Sequence, residues 1–122
     1  MAAKILYMVL LIGLLFSCKS EQITMQEYTF EKEIFLTVNE TFEYSLGNGI
    51  ATEGGFSIEK QAAHFSISDI IINSTGMPVL KYVYKPKANF KGEDSVVLKN
   101  CISIGGGNCD KIELFKFIFY IK

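Results

Sequence analysis

The chain contains no arginine and no tryptophan, and only one histidine and two prolines among its 122 residues. Each scarcity excludes something. Without arginine there is no planar fork for phosphate or guanine. With 12 lysines against 13 acidic side chains the net charge is −1, so no electrostatic footprint for nucleic acid exists. The missing tryptophan removes the strongest stacking platform for a sugar ring. His64 stands alone, with no other ligand at metal spacing and no partner for a proton relay. Neighbouring acids such as Glu93 and Asp94 point to opposite sides of an extended chain, which gives no acid–base dyad. Gly105-Gly106-Gly107 lacks the following Lys-Ser/Thr of a phosphate loop, and no serine or cysteine nucleophile sits in a recognisable motif. The expectation is a non-enzyme without a metal.

Long apolar runs are also scarce. The exception is Ile5 to Leu15, broken at Gly13 and preceded by Lys4. At about a dozen residues it falls short of the roughly 20 that span a bilayer, and it has the layout of an export signal. It ends in Leu15-Phe16-Ser17-Cys18, which resembles the lipoprotein box: aliphatic at −3, small at −1, then cysteine. Phe16 is bulkier than the usual occupant. The resemblance implies a signal peptide over 1–17, cleavage before Cys18, and a covalent lipid on that thiol as the sole non-protein group. An ordinary secretory signal and an uncleaved anchor helix are the alternatives. Lys19 in place of Asp resembles the outer-membrane address of Gram-negative lipoproteins, periplasmic or surface-facing. Glu21 weakly resembles the acidic export tags of Bacteroidetes-type surface lipoproteins. Residues 18–26 then form the lipidated cysteine and a polar tether, and the domain occupies 27–122.

Of three cysteines, Cys18 accounts for the odd one. Cys101 and Cys109 remain, in a compartment where disulfides persist. They flank a Gly-rich stretch that reads as a hairpin tip, and loop-closure entropy assigns such a ring about 2.5 kcal/mol.

Beyond the tether the pattern is strand-like. Phe42, Tyr44 and Leu46 alternate with Thr41, Glu43 and Ser45, the mark of a half-buried strand. Further strands are expected at 31–38, 56–59, 63–68, 79–85, 95–103 and 111–122, separated by Gly, Pro and Asn. Short strands at this spacing indicate a β-sandwich of about seven strands. In the last strand Phe115, Phe117, Phe119 and Ile121 share one face. Leu114, Ile118 and Tyr120 share the other, either covered by another element or open as an interaction strip.

Tyr84-Lys85-Pro86-Lys87-Ala88-Asn89-Phe90-Lys91-Gly92-Glu93-Asp94-Ser95 resembles the Tyr-x-Pro-x-x-x-Phe-x-Gly-x-Asp-Ser signature of bacterial cadherin-like and immunoglobulin-like repeat domains. The resemblance covers about Thr37 to Ile121 and implies an immunoglobulin-like or cadherin-like sandwich from surface and adhesin-like proteins. The residues also have a physical reading. Pro86 ends a strand, Phe90 plugs the core from a loop, Gly92 permits a positive φ, and Asp94 bonds nearby amides of the turn. Phe65 and Val96 depart from the family pattern, and Gly105-Gly106-Gly107 replaces its acidic calcium loop. Asp94-Ser95-Val96 resembles a Bacteroidetes O-glycosylation pattern at Ser95.

Three functions follow as expectations. The first is a membrane-anchored binding or adhesion-type module for an envelope protein or glycan, acting through loops or the last strand. The others are a structural spacer and a small inhibitor or immunity-type lipoprotein.

Overall fold

Alternating apolar and polar side chains suit a pleated sheet with one face buried, and the chain folds accordingly. The computed structural model describes residues 27–48, 54–73, 76, 78–103, 105 and 107–122. The expected signal peptide over 1–17, the expected lipid site Cys18 and the expected tether lie outside them. Seven strands are present among the described residues: β1 (Glu27–Leu36), β2 (Phe42–Asn48), β3 (Gly54–Lys60), β4 (Phe65–Asn73), β5 (Val79–Pro86), β6 (Gly92–Ile102) and β7 (Lys111–Ile121). They form a four-stranded sheet in the order β1-β7-β6-β3 and a three-stranded sheet in the order β2-β5-β4. All pairs are antiparallel except β1 with β7. The expected all-β sandwich is therefore present.

Several strands run further than their sequence suggested: β1 starts at Glu27 rather than at residue 31, and β3 spans Gly54–Lys60 rather than 56–59. β4 continues through Asp69-Ile70-Ile71-Ile72 to Asn73, because three consecutive β-branched residues favour the extended chain. β6 starts at Gly92, which pairs with Ile121 before the apolar alternation begins.

The core lies between the central strands of the two sheets. Phe117 and Phe119 of β7 face Tyr82 and Tyr84 of β5, all four at 0% exposure. Tyr84 stacks on Phe119 with centroids 3.9 Å apart, and Tyr82 lies parallel to Phe117 at 6.2 Å. Phe42 and Tyr44 of β2 close on the same rings at 5.0–5.5 Å. Each fully buried large side chain contributes about 1.5–3 kcal/mol, so this aromatic layer dominates the hydrophobic drive. The buried face of β7 is thus Phe117, Phe119 and Ile121, as its alternation indicates.

Strand directions alternate along the chain, which sorts the connections between two ends. At one end 37–41, 61–64, 87–91 and Lys122 meet: Val38 donates to the Lys122 carbonyl at 3.0 Å, and Lys87 to the His64 carbonyl at 3.0 Å. The β2–β3, β4–β5 and β6–β7 connections leave from the opposite end, where β1 begins.

Candidate functional site

At the first end the signature residues converge on one carboxylate. Asp94 Oδ1 accepts the amides of Ala63 at 2.8 Å and Ser95 at 2.9 Å. Its Oδ2 accepts the His64 amide at 2.8 Å and the Tyr84 hydroxyl at 2.9 Å. The sequence placed Asp94 in a local turn. In fact three of these four donors lie 10, 30 and 31 residues away, so Asp94 clamps the β3–β4 connection to β5 and β6. The difference is physical: a short carboxylate at the start of β6, facing the core, reaches across the sandwich before it can reach its own turn. Burial, then the bond to Asp94, pushes the Tyr84 hydroxyl well above the usual tyrosine range.

The other signature residues brace this clamp. Pro86 closes β5 and is buried, where its missing N–H costs the ladder nothing further. Phe90 stacks on His64 at 4.4 Å and 13°, which uses His64 as a packing surface. Gly92 has φ 138°, and a Cβ there would meet the Phe90 ring at 3.3 Å. Asn89 donates its amide to Asn39 Oδ1 at 3.1 Å, tying the β5–β6 turn to the β1–β2 turn. A second polar network lies behind: Ser68 Oγ bonds the Tyr82 hydroxyl at 2.7 Å and donates to Gln61 Oε1 at 2.6 Å. A cleft of about 280 Å³ opens beside the clamp, lined by Lys60, Gln61, His64, Glu93, Asp94 and Ser95. Its central carboxylate already has four donors. That carboxylate is committed to holding the fold.

The opposite end is built differently. Cys101 and Cys109 are joined by a disulfide with Cα atoms 5.2 Å apart. Asp110 donates to the Ile102 carbonyl at 2.9 Å and closes the hairpin. Gly105 and Gly107 take φ of 138° and 79°, conformations that side chains other than glycine rarely tolerate. Both glycines and Asn108 are exposed. Next to the hairpin, Glu113 accepts from Lys111 at 2.9 Å and Asn100 at 3.3 Å, and these bonds hold its carboxyl below the usual range. Among its described residues the hairpin thus exposes Gly105, Gly107 and Asn108, and a covalent bond holds it closed. Such a loop loses little entropy when a partner binds.

The third predicted feature lies on the outer face of the larger sheet. Leu114, Ile118 and Tyr120 are half-buried along β7. The sequence reading missed their neighbour Phe35, which stacks on Tyr120 at 5.3 Å and is 68% exposed. Its signal was available: Phe35 sits out of phase between the buried Ile34 and Leu36. Tyr120 donates to Glu33 at 3.3 Å. Partial burial, followed by the carboxylates of Glu33, Glu93 and Glu31, raises its hydroxyl. Ser95 lies on this face opposite Ile118. Among the described residues no group of three His, Cys, Asp or Glu side chains could hold a metal ion.

No protein-family model matches the chain, and no curated protein does. Solved structures do. The crystal structure of the cysteine protease inhibitor EhICP2 from Entamoeba histolytica is similar over 81% of this chain and 98% of that one, with TM-score 0.53 and 15% identity. More distant likenesses are an endo-fucoidan hydrolase of glycoside hydrolase family 107 and PbICP-C in complex with falcipain-2. Their TM-scores are 0.41 and 0.38, at 10% and 12% identity. They cover 75% and 80% of this chain, and 12% and 91% of those chains. At such identities what is shared is the fold.

Proposed function

We propose that this protein is a small inhibitor-type binding protein whose target is a cysteine protease, engaged by the disulfide-braced end of an immunoglobulin-like sandwich. The observation that carries this reading is a likeness extending over 98% of a solved cysteine protease inhibitor. The strand order β1-β7-β6-β3 over β2-β5-β4 supports the immunoglobulin-like description, with the first strand placed beside the last. The hairpin geometry supports the choice of end. A protease cleft accepts a narrow, pre-organised loop, and glycines braced by Cys101–Cys109 can approach closely without side-chain clash. Of the three functions opened by the sequence, the small inhibitor gains most. The fold of an interaction module is equally consistent with a binding role, and protease binding is one form of it.

The lipoprotein box supports an outer-membrane location for this activity, with Cys18 as the anchor. Residues 18–26 fully extended reach about 30 Å, and β1 begins at the hairpin end.

The test is inhibition. The purified full chain in non-ionic detergent, mixed with activated papain freed of reductant, is expected to give reversible inhibition competitive with a peptide substrate. Trypsin serves as the serine-protease control and stays active. Undiminished turnover by papain and by other papain-type enzymes, at micromolar chain, would sink the reading.

A further inference from the structure

The hairpin end owes little of its shape to packing. No described residue between Lys99 and Leu114 belongs to the hydrophobic core, whose last members along β6 and β7 are Leu98 and Phe115. β3 meets this part of β6 with Gly54 and Gly55, opposite Ile102 and Cys101, and so brings no side chain to it. Beyond the rung formed by Ile102 and Lys111, Asp110 donates to the Ile102 carbonyl at 2.9 Å and Gly105 to the Ser103 hydroxyl at 3.4 Å. Gly105 and Gly107 hold positive φ inside a ring closed through sulfur. Glycines give an open chain the most freedom to regain, so this is the segment that loosens first once the ring is cut.

The bond is also within reach of solvent. Along β6 the buried side chains are Asp94, Val96 and Leu98, and the register to β7 runs unshifted to Ile102. Alternation therefore puts Cys101 on the side of the sheet away from the core, and neither Cys101 nor Cys109 is buried. Accessible disulfides are the ones that exchange with external thiols.

We propose that the Cys101–Cys109 bond is a redox gate on the hairpin end, closed as the disulfide and opened by a dithiol reductant. One thiolate of the dithiol attacks a hairpin sulfur, forming a mixed disulfide and releasing the other cysteine as thiolate. The second thiol of the reductant then displaces the remaining cysteine and leaves as a cyclic disulfide. Two electrons pass to the cystine, and the hairpin keeps two thiols. The aromatic layer of Tyr82, Tyr84, Phe117 and Phe119 lies outside the ring, so the sandwich stays folded while its tip opens. The consequence for a protease rests on the inhibitor reading; the opening itself does not. A cysteine protease cuts only with its nucleophile as a free thiolate. Reduction thus acts twice in one direction, restoring the target's thiolate and loosening the loop that restrains it.

The test uses the ¹⁵N-labelled full chain in non-ionic detergent, before and after millimolar dithiothreitol. Resonances of residues 101–110 and the adjoining strand ends are expected to shift, and those of Tyr82, Tyr84, Phe117 and Phe119 to stay. Resistance to the dithiol, an unchanged hairpin, or loss of the whole fold would each overturn the gate. Papain, active with and without the reductant, then reads the consequence. The reduced chain is expected to inhibit about tenfold less well than the oxidised one, with recovery on reoxidation. Cys101→Ser combined with Cys109→Ser inhibits at the weaker level in both buffers, which separates the gate from any effect of dithiothreitol on papain. Equal inhibition by oxidised and reduced chain overturns the gate and leaves the inhibitor reading standing. An oxidised chain that does not inhibit overturns the inhibitor reading and the gate's action on a protease together.

Discussion

The two ends of the sandwich are held by opposite means. At one, a single buried carboxylate gathers four donors from three separated segments, and every polar atom involved is committed. At the other, one covalent bond closes a ring whose exposed residues, among those described, are Gly105, Gly107 and Asn108. The first arrangement is strong because it is saturated, and a saturated site has nothing left to offer a partner. The second keeps its shape without spending its surface. The most recognisable motif in the chain therefore marks the scaffold, and the least distinctive stretch marks the end proposed to bind.

This contrast can be broken from either side. Asp94→Ala strands the Tyr84 hydroxyl and the amides of Ala63 and His64, and is expected to cost about 4 kcal/mol in denaturant unfolding. Protease binding by the fraction still folded stays unchanged. A loss under about 1 kcal/mol would show that the clamp is ornamental. Cys101→Ser combined with Cys109→Ser removes about 2.5 kcal/mol and weakens protease affinity about tenfold, while β6 and β7 keep their register. Affinity equal to the unmodified chain would remove the hairpin from the binding account.

The smallest effect concerns alkali. The folded pKa of Tyr84 lies above its ordinary value of 10.0, so the folded state holds that proton more tightly. Stability is then complete below pH 10.0 and declines as pH rises beyond it. Tyr84→Phe costs about 1–2 kcal/mol at neutral pH through the lost hydrogen bond, and flattens part of this alkaline decline. Tyr82, raised chiefly by burial, and Tyr120 contribute to the remainder. An alkaline limb identical in the two proteins would remove Tyr84 from the titration.

Much of the fold was legible because period-two patterning is local. The buried face of β7 and the strand pattern of β2 follow from alternation alone, and the Cys101–Cys109 disulfide from pairing arithmetic in the compartment that the lipoprotein box implies. What escaped was non-local. Nothing in Glu27–Leu36 announces a parallel partner 85 residues away at Ile112. Asp94 looks like a turn residue until the fold brings Ala63 and His64 to it. The Gln61–Ser68–Tyr82 network joins residues that are unremarkable singly. The residues of the Tyr84–Ser95 signature meet around the Asp94 clamp, and their cadherin-like associations say nothing about the hairpin end.

The most direct measurement is a hydrogen-exchange footprint of the full chain with and without active-site-blocked papain. Slowed exchange confined to residues 101–110 and the neighbouring strand ends is the expected result, with 61–64 and 87–91 unaffected. Protection at 61–64 and 87–91, or none anywhere, would contradict the assignment of scaffold and binding end.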